Sequence, residues 1–123
     1  PLSGYLLIAE KLYENGKPYA EAWNFGPQDE DSKSVKWIIE KLTKLNPGAN
    51  WIIDKTAQPH EAVQLKLDST KAKTNLNWSP RWNIETAINK TVEWHHSWIN
   101  NEDMEKLIEM QIINFTDSKL TNK

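Results

Sequence analysis

Residues 83–99, with the sequence NIETAINKTVEWHHSWI, are the stretch that decides the fold. Apolar side chains recur there at helical spacing, and Asn83 stands just before them, where its side chain can accept hydrogen bonds from free backbone amides. The stretch therefore predicts an amphipathic helix with one buried face. That face consists of Ile84, Ala87, Ile88, Val92, His95 and Ile99.

Similar spacing predicts four further helices on either side of this stretch. The predicted helices cover residues 3–13, 35–45, a short stretch through 72–76, and 102–115. Asn15 and Gly16 should stop the first, Ser32 or Ser34 should cap the second, and Asp68 or Ser69 should cap the third. Residues 117–123 are expected to fray.

Three segments predict short strands between these helices. Residues 19–25 run into a turn at Gly26 and Pro27, residues 51–53 are an apolar triplet, and residues 63–67 alternate apolar and polar side chains. Strands so short and so far apart do not make an independent sheet. The expected fold class is α/β, seen here as an α+β piece that is mostly helical with a few short strands.

Composition limits the functions that this piece can carry. The 123 residues suit one domain, and the first is proline, which suggests a piece of a longer parent protein. With no cysteine, disulfides and thiolate metal sites are excluded. The net charge of −2 is spread along the chain, which argues against nucleic acid as a partner, and no apolar run is long enough to span a membrane.

The residues needed for redox or metal chemistry are not spaced for it. A dinucleotide site needs a glycine-rich turn, and the four glycines lie far apart, so no cofactor-binding residue is predicted. Tyr13 and Lys17 match the Y-x-x-x-K pair of short-chain dehydrogenases, but Gly16 should end the helix between them. His95 and His96 point about 100° apart on a helix, so one should face the core and the other solvent, and no metal site is expected.

The seven tryptophans of the chain and the loop 58–61 remain as candidates for binding. Most of the tryptophans lie beside predicted core faces, so packing explains them better than carbohydrate stacking does. The loop holds Gln58, His60 and Glu61, an amide, an imidazole and a carboxylate together before a strand. Composition alone leaves open whether it binds a nucleotide or is simply solvated.

Several motifs resemble those of CDP-glucose 4,6-dehydratases, which are extended short-chain dehydrogenases/reductases of the NAD-dependent epimerase/dehydratase family. The similar stretches are PLSGYLL and AEKL within residues 1–12, AWNFGP at 22–27, QPHEA at 58–62, LKLD at 65–68, and the S-x-K-A-K…L-x-W-x-P-R-W pattern of residues 69–82. The last pattern is shared by many sugar-nucleotide dehydratases and epimerases, whereas the earlier motifs are more specific.

The resemblance implies that residues 1–116 are the C-terminal, sugar-nucleotide-binding portion of an extended Rossmann-fold enzyme. NAD and the catalytic residues would then belong to an N-terminal Rossmann domain absent from this chain, so the chain alone would be inactive. The parent would convert CDP-glucose to CDP-4-dehydro-6-deoxyglucose and water. It would be a cytoplasmic homodimer that serves deoxysugar synthesis for surface polysaccharide such as O-antigen.

The resemblance also implies which residues contact the substrate. Gln58, His60 and Glu61 are expected at the nucleotide, with Asn24 in the turn behind them. Related dehydratases commonly place a diphosphate-binding arginine in this loop, and Gln58 stands near that place. We therefore interpret Gln58 as a contact to cytosine or ribose and not to the diphosphate. A GDP-mannose or dTDP-glucose dehydratase, a related epimerase, and a non-enzymatic helical interaction module remain alternatives.

Overall fold

The computed structural model describes residues 1–54, 56 and 66–118. In this part of the chain the regular structure consists of α-helices and two short 3-10 turns, Lys17–Tyr19 and Asp29–Asp31. The helices are α1 (Leu2–Asn15), α2 (Val35–Leu45), α3 (Thr70–Leu76), α4 (Ile84–Ile99) and α5 (Met104–Asp117). The helix predictions are therefore confirmed. None of the described helices is long and apolar enough to cross a membrane.

Side-chain caps explain where three of the helices begin. In each case a side-chain oxygen accepts a hydrogen bond from the backbone amide three residues further on, which satisfies a donor that has no partner within the helix. These caps are Ser34 for α2 (3.2 Å), Asn83 for α4 (2.9 Å) and Asp103 for α5 (3.1 Å). The C-terminal end of α1 is set by Gly16, whose φ of 69° stops the helix where the sequence predicted.

The predicted strands are wrong wherever the structure describes the chain. Residues 19–25 form the end of a 3-10 turn and an irregular segment, and residues 51–53 and 66–67 are irregular as well, while 63–65 lie outside the described residues. The indole N–H of Trp23 donates to the Tyr19 carbonyl at 3.1 Å, which folds this segment back on itself. A strand also needs a partner, and the described residues supply none, so the α+β expectation gives way to a helical architecture.

A core of buried aromatic and aliphatic residues joins α1, α3 and the segment after α1. Phe25 and Trp78 meet edge to face, with ring centroids 4.9 Å apart, and both pack with Ala72 and Leu76 of α3. The Trp78 indole N–H donates to the Ser3 hydroxyl of α1 at 3.0 Å. Residues on either side of Asn24 are thus fixed to the helices by apolar packing.

The second half of the molecule is built around α4, which packs against α2 and α5. Val92, Ser97 and Leu107 are buried there. His96 is half-buried and bonded through Nε2 to Asn46 Oδ1 at 2.8 Å. His95 is exposed, so its predicted place on the buried face is wrong.

Of the other residues predicted on the buried face of α4, Val92 is buried and Ile84 and Ile88 are half-buried, whereas Ala87 and Ile99 are exposed. Half-buried His96 and buried Ser97 lie on the inner side as well. The predicted face is therefore right in part. Its exposed members were misassigned because α4 is flanked by two helices, and apolar spacing within one helix does not reveal from which directions its neighbours approach.

The tryptophans divide between packing and exposure. Trp78 is buried, and Trp23, Trp37, Trp51 and Trp82 are half-buried, so packing accounts for these five as predicted. Trp94 and Trp98 are exposed and stack on each other, with centroids 6.2 Å apart. Core packing therefore does not explain this last pair.

Candidate functional site

One of the four predicted site residues lies in the described part of the chain, and three lie outside it. Gln58, His60 and Glu61 lie outside the described residues. Asn24 is described: it is exposed and lies in the irregular segment between the core residue Phe25 and the half-buried Trp23. The candidate site is therefore built from the turn that carries Asn24 and from the residues that hold it.

That turn is held against the chain segment 66–73, which follows directly after residues 57–65 in the sequence. The amide of Gly26 donates a hydrogen bond of 2.8 Å to the hydroxyl of Ser69, and the contact is buried. A Cβ on residue 26 would lie only 3.0 Å from Leu67 Cβ and 3.1 Å from Ser69 Oγ. The absence of a side chain on Gly26 therefore lets the backbone of the AWNFGP motif lie directly against the side chains of Leu67 and Ser69.

Two lysines of α3 fix the flanks of the same turn. Lys71 Nζ donates to the Ala22 carbonyl at 2.9 Å, pairs with Glu21 at 2.8 Å and lies 4.4 Å from the centroid of the Trp23 ring. Lys73 Nζ donates to the side-chain carbonyl of Gln28 at 2.7 Å. The turn is thus attached before and after Gly26 to α3, and at Gly26 to Ser69, the N-cap residue of α3.

Asp68 performs the capping role at the start of α3. Its Oδ1 accepts the Thr70 amide at 2.8 Å, and hydrogen bonding from Thr70 holds the pKa of the carboxyl below its ordinary value. The Ser69 side chain makes no capping bond. Ser69 occupies the N-cap position, the Asp68 carboxylate supplies the side-chain bond to the first helical amide, and the Ser69 hydroxyl is directed to Gly26 instead.

The remaining pKa shifts in the described part of the chain belong to carboxylate–lysine pairs at the surface. Hydrogen bonding to Lys41 lowers the pKa of Glu85, and hydrogen bonding to Lys90 lowers that of Glu93. A short, exposed bond to Glu14 raises the pKa of Lys11. Such shifts describe surface pairing and do not mark a catalytic group.

The Y-x-x-x-K pair is separated as the sequence suggested. Tyr13 lies on α1 and is 94% exposed, whereas Lys17 lies in the next 3-10 turn, beyond the left-handed Gly16. The two side chains do not share a helix face, so the pair lacks the arrangement that would let the lysine lower the pKa of the tyrosine.

Sequence reasoning missed the buried role of Ser69. The signal was present: Asp68 and Ser69 are two adjacent residues that can each cap a helix, and α3 has only one N-cap position to fill. A second capping residue beside the first is free for another partner. Which partner it finds, 43 residues away, could not be read from the sequence.

Comparison with known proteins shows which family the chain resembles, although no protein-family model matches it. It is 47% identical over 105 residues to the CDP-glucose 4,6-dehydratase of Salmonella typhimurium, a match that covers 85% of this chain and 29% of that protein. It is 33% identical over 90 residues to a probable dTDP-glucose 4,6-dehydratase of Sinorhizobium fredii, covering 68% of this chain and 25% of the relative.

A third relative, the mouse dTDP-D-glucose 4,6-dehydratase, is 29% identical over 96 residues, covering 71% of this chain and 26% of the relative. The chain thus spans less than a third of the length of the curated relatives that it matches. Over the matched residues, the chain is similar in sequence to one segment of the CDP-glucose and dTDP-glucose 4,6-dehydratases.

Proposed function

We propose that this chain is the C-terminal, sugar-nucleotide-binding part of a 4,6-dehydratase that converts CDP-glucose to CDP-4-dehydro-6-deoxyglucose and water. The observation that carries the proposal is the difference in similarity among the relatives. The relative named for CDP-glucose is 47% identical, while those named for dTDP-glucose are 33% and 29% identical. A lyase acting on a CDP-linked sugar is the function that this difference favours.

The proposal places NAD and the catalytic groups in the rest of the parent, in a Rossmann domain outside this chain. The glycines here do not fit a bound dinucleotide. The space beside Gly26 is filled by Leu67 and Ser69, and the space beside Gly4 by the ring of Phe25. Gly16 and Gly48 each stand alone in separate turns, and neither forms part of a glycine-rich helix start of the kind that a pyrophosphate requires.

The contribution of this chain would be to bind and orient the nucleotide. Gln58 and His60 carry groups that can hydrogen-bond to a base edge or ribose, and Glu61 can accept from ribose hydroxyls. Asn24 adds a fourth polar group. In the described part of the chain its side chain is exposed and makes no hydrogen bond, so its amide is available to a ligand.

The exposed apolar surface of α1 supports the assignment to a larger enzyme. Leu2, Tyr5 and Leu6 are 76%, 58% and 73% exposed, and their spacing puts them on one side of the helix. Leaving such side chains in water forfeits the free energy that burial provides. In the proposal this surface packs on the Rossmann domain of a homodimeric, cytoplasmic parent that serves deoxysugar synthesis, and the chain alone, residues 1–116 with their tail, is inactive.

A chimera tests the proposal directly. The 105 matched residues of this chain would replace the corresponding segment of the Salmonella typhimurium enzyme, and the product would be assayed with NAD and either CDP-glucose or dTDP-glucose. We expect the 4-keto-6-deoxy sugar to form from CDP-glucose at a kcat/KM at least about tenfold above that for dTDP-glucose, equivalent to about 1.4 kcal/mol of discrimination.

The outcomes of this assay separate the alternatives. A preference for dTDP-glucose would favour the second candidate, which rests on the two relatives named for that substrate. A soluble, folded chimera without activity on either compound would overturn the dehydratase assignment. The unaltered Salmonella typhimurium enzyme serves as the positive control.

Single substitutions in the chimera test the residue assignments. His60→Ala is expected to raise the KM for CDP-glucose without changing NAD binding, because a base or ribose contact is lost. His95→Ala is the matched control, since His95 is exposed on α4 and belongs to the other half of the chain. Equal KM values for the two variants would remove His60 from the site.

A further inference from the structure

Ser69 is a buried polar residue whose position calls for a functional explanation. Its residue surface is only 4% exposed, and its hydroxyl accepts the Gly26 amide at 2.8 Å across 43 residues of sequence. The neighbouring Asp68 already satisfies the Thr70 amide at the start of α3. The Ser69 hydroxyl itself makes no capping bond, and its hydrogen bond is the one to the turn.

The bond is placed where it controls Asn24. On one side of Asn24 the Phe25 ring is 6% exposed and packed against Trp78. Gly26, two residues after Asn24, is held by Ser69. Pro27 follows with its own φ fixed by the ring, so the backbone after Asn24 is restrained by packing, by the hydrogen bond and by the proline in turn.

The other attachments of the turn cannot substitute for this bond. Lys71 holds the Ala22 carbonyl and Lys73 holds the Gln28 side chain, both through flexible, partly exposed ammonium groups. They tie down the ends of the segment and leave its middle to Ser69. Without the hydroxyl, the Gly26 amide would be buried without a partner, and the turn would shift to reach water.

We propose that Ser69 is a positioning residue for substrate binding: its hydroxyl fixes the turn 24–27 so that the Asn24 amide is presented to the nucleotide sugar. This inference rests on the proposed function. It assigns Ser69 no contact with the substrate. The effect of Ser69 passes through Gly26, and it concerns the binding of the substrate ahead of any chemical step.

The test is Ser69→Ala in the chimera described above. Loss of one neutral hydrogen bond that orders a binding group is expected to raise the KM for CDP-glucose roughly three- to tenfold. The kcat and the KM for NAD should not change, because neither the catalytic groups nor the cofactor is touched. Ser69→Thr keeps the hydroxyl and should restore most of the affinity.

The matched control is Ser97→Ala, because Ser97 is a serine of comparable burial, 7% exposed, on α4. It removes the same atom from a buried residue outside the core cluster that holds Phe25. If the two variants lose similar stability and only Ser69→Ala raises the KM, the positioning role is supported. If both raise the KM equally, or if Ser69→Ala lowers kcat alone, the inference is overturned.

A second measurement separates this inference from the function on which it rests. Amide hydrogen exchange in the chimera should show Gly26 protected, and Ser69→Ala should abolish that protection while leaving amides within α4 unchanged. If the unsubstituted chimera has no activity on either nucleotide sugar, the proposed function fails and the positioning role with it. If it is active and Ser69→Ala leaves both the KM and the Gly26 exchange rate unchanged, only the positioning role fails.

Discussion

Gly4→Ala is expected to destabilise the protein, although alanine is the better helix former. Gly4 is buried in the first turn of α1. A Cβ at this position would lie 2.3 to 2.5 Å from three ring carbons of Phe25, and Phe25 belongs to the core formed with α3 and Trp78. The substitution thus sets a local gain in helix propensity against a tertiary clash in that core.

The magnitudes decide in favour of the clash. Alanine in place of glycine in a helix gains at most about 1 kcal/mol, and less in the first turn. Overpacking costs about 1–3 kcal/mol, and contacts about 1 Å shorter than the ~3.5 Å optimum belong in the upper part of that range. We therefore expect the free energy of unfolding to fall by about 1–2 kcal/mol. Because Phe25 precedes Gly26, the displaced ring should also disturb the turn that carries Asn24.

Equilibrium urea unfolding of the chain, followed by circular dichroism, measures this loss. The exposed Ala9 of the same helix supplies the control, since Ala9→Gly reports the propensity term without a packing term. In a Phe25→Leu background the smaller side chain should make Gly4→Ala less costly by about 1 kcal/mol, a coupling that a double-mutant cycle reveals. If Gly4→Ala instead raised the stability by about the amount that Ala9→Gly lowers it, the clash would not exist and the reasoning would be refuted.

Three further changes test other parts of the structure. Asn77 ends α3 with a φ of 51°, so Asn77→Ala should cost about 1 kcal/mol and Asn77→Gly should cost nothing, as measured by urea unfolding. Ser3→Ala removes the acceptor of the part-buried Trp78 indole N–H and should lower the free energy of unfolding by about 1–2 kcal/mol, whereas the same change at an exposed serine such as Ser32 should not. Hydrogen bonding from Thr70 lowers the folded-state pKa of Asp68, so the stability that this carboxylate provides is present above its unfolded-state pKa and is lost as the pH falls through the folded-state value. Asp68→Asn should therefore make the free energy of unfolding less sensitive to pH below about 4. An unchanged pH dependence in that acid range would contradict the capping role.

The exposed pair formed by Trp94 and Trp98 has no part in the proposed site. The two indoles stack on α4, nearly parallel at 11°, and His95 lies beside Trp98 with its ring centroid 6.1 Å away. Nothing in the described residues shows what covers this surface. The contrast with Trp78, which is buried and hydrogen-bonded, shows that aromatic content alone does not separate a core residue from a surface one.

Local sequence determined the helices and most of their ends. The stretch 83–99 predicted α4 and its cap at Asn83, and Asn15 with Gly16 predicted the end of α1, because capping and helical spacing depend on residues within four positions of each other. The motifs were also sufficient to reveal the resemblance to CDP-glucose 4,6-dehydratases, to one of which the chain is 47% identical over 105 residues. Of the site, the sequence alone could nominate Asn24 and the loop 58–61.

Only the tertiary structure decided how the distant segments meet. The aromatic pattern of residues 19–25 suggested a strand, yet these residues pack on helices, because a strand is stable only when another strand satisfies its backbone. Similarly, the sequence offered Ser69 as a cap, and the fold used it to hold Gly26. Local periodicity shows which side of an element is apolar, but it does not show which segment will pack there when that segment is 43 residues away in the sequence. The packing partner determines both the burial and the role of each side chain.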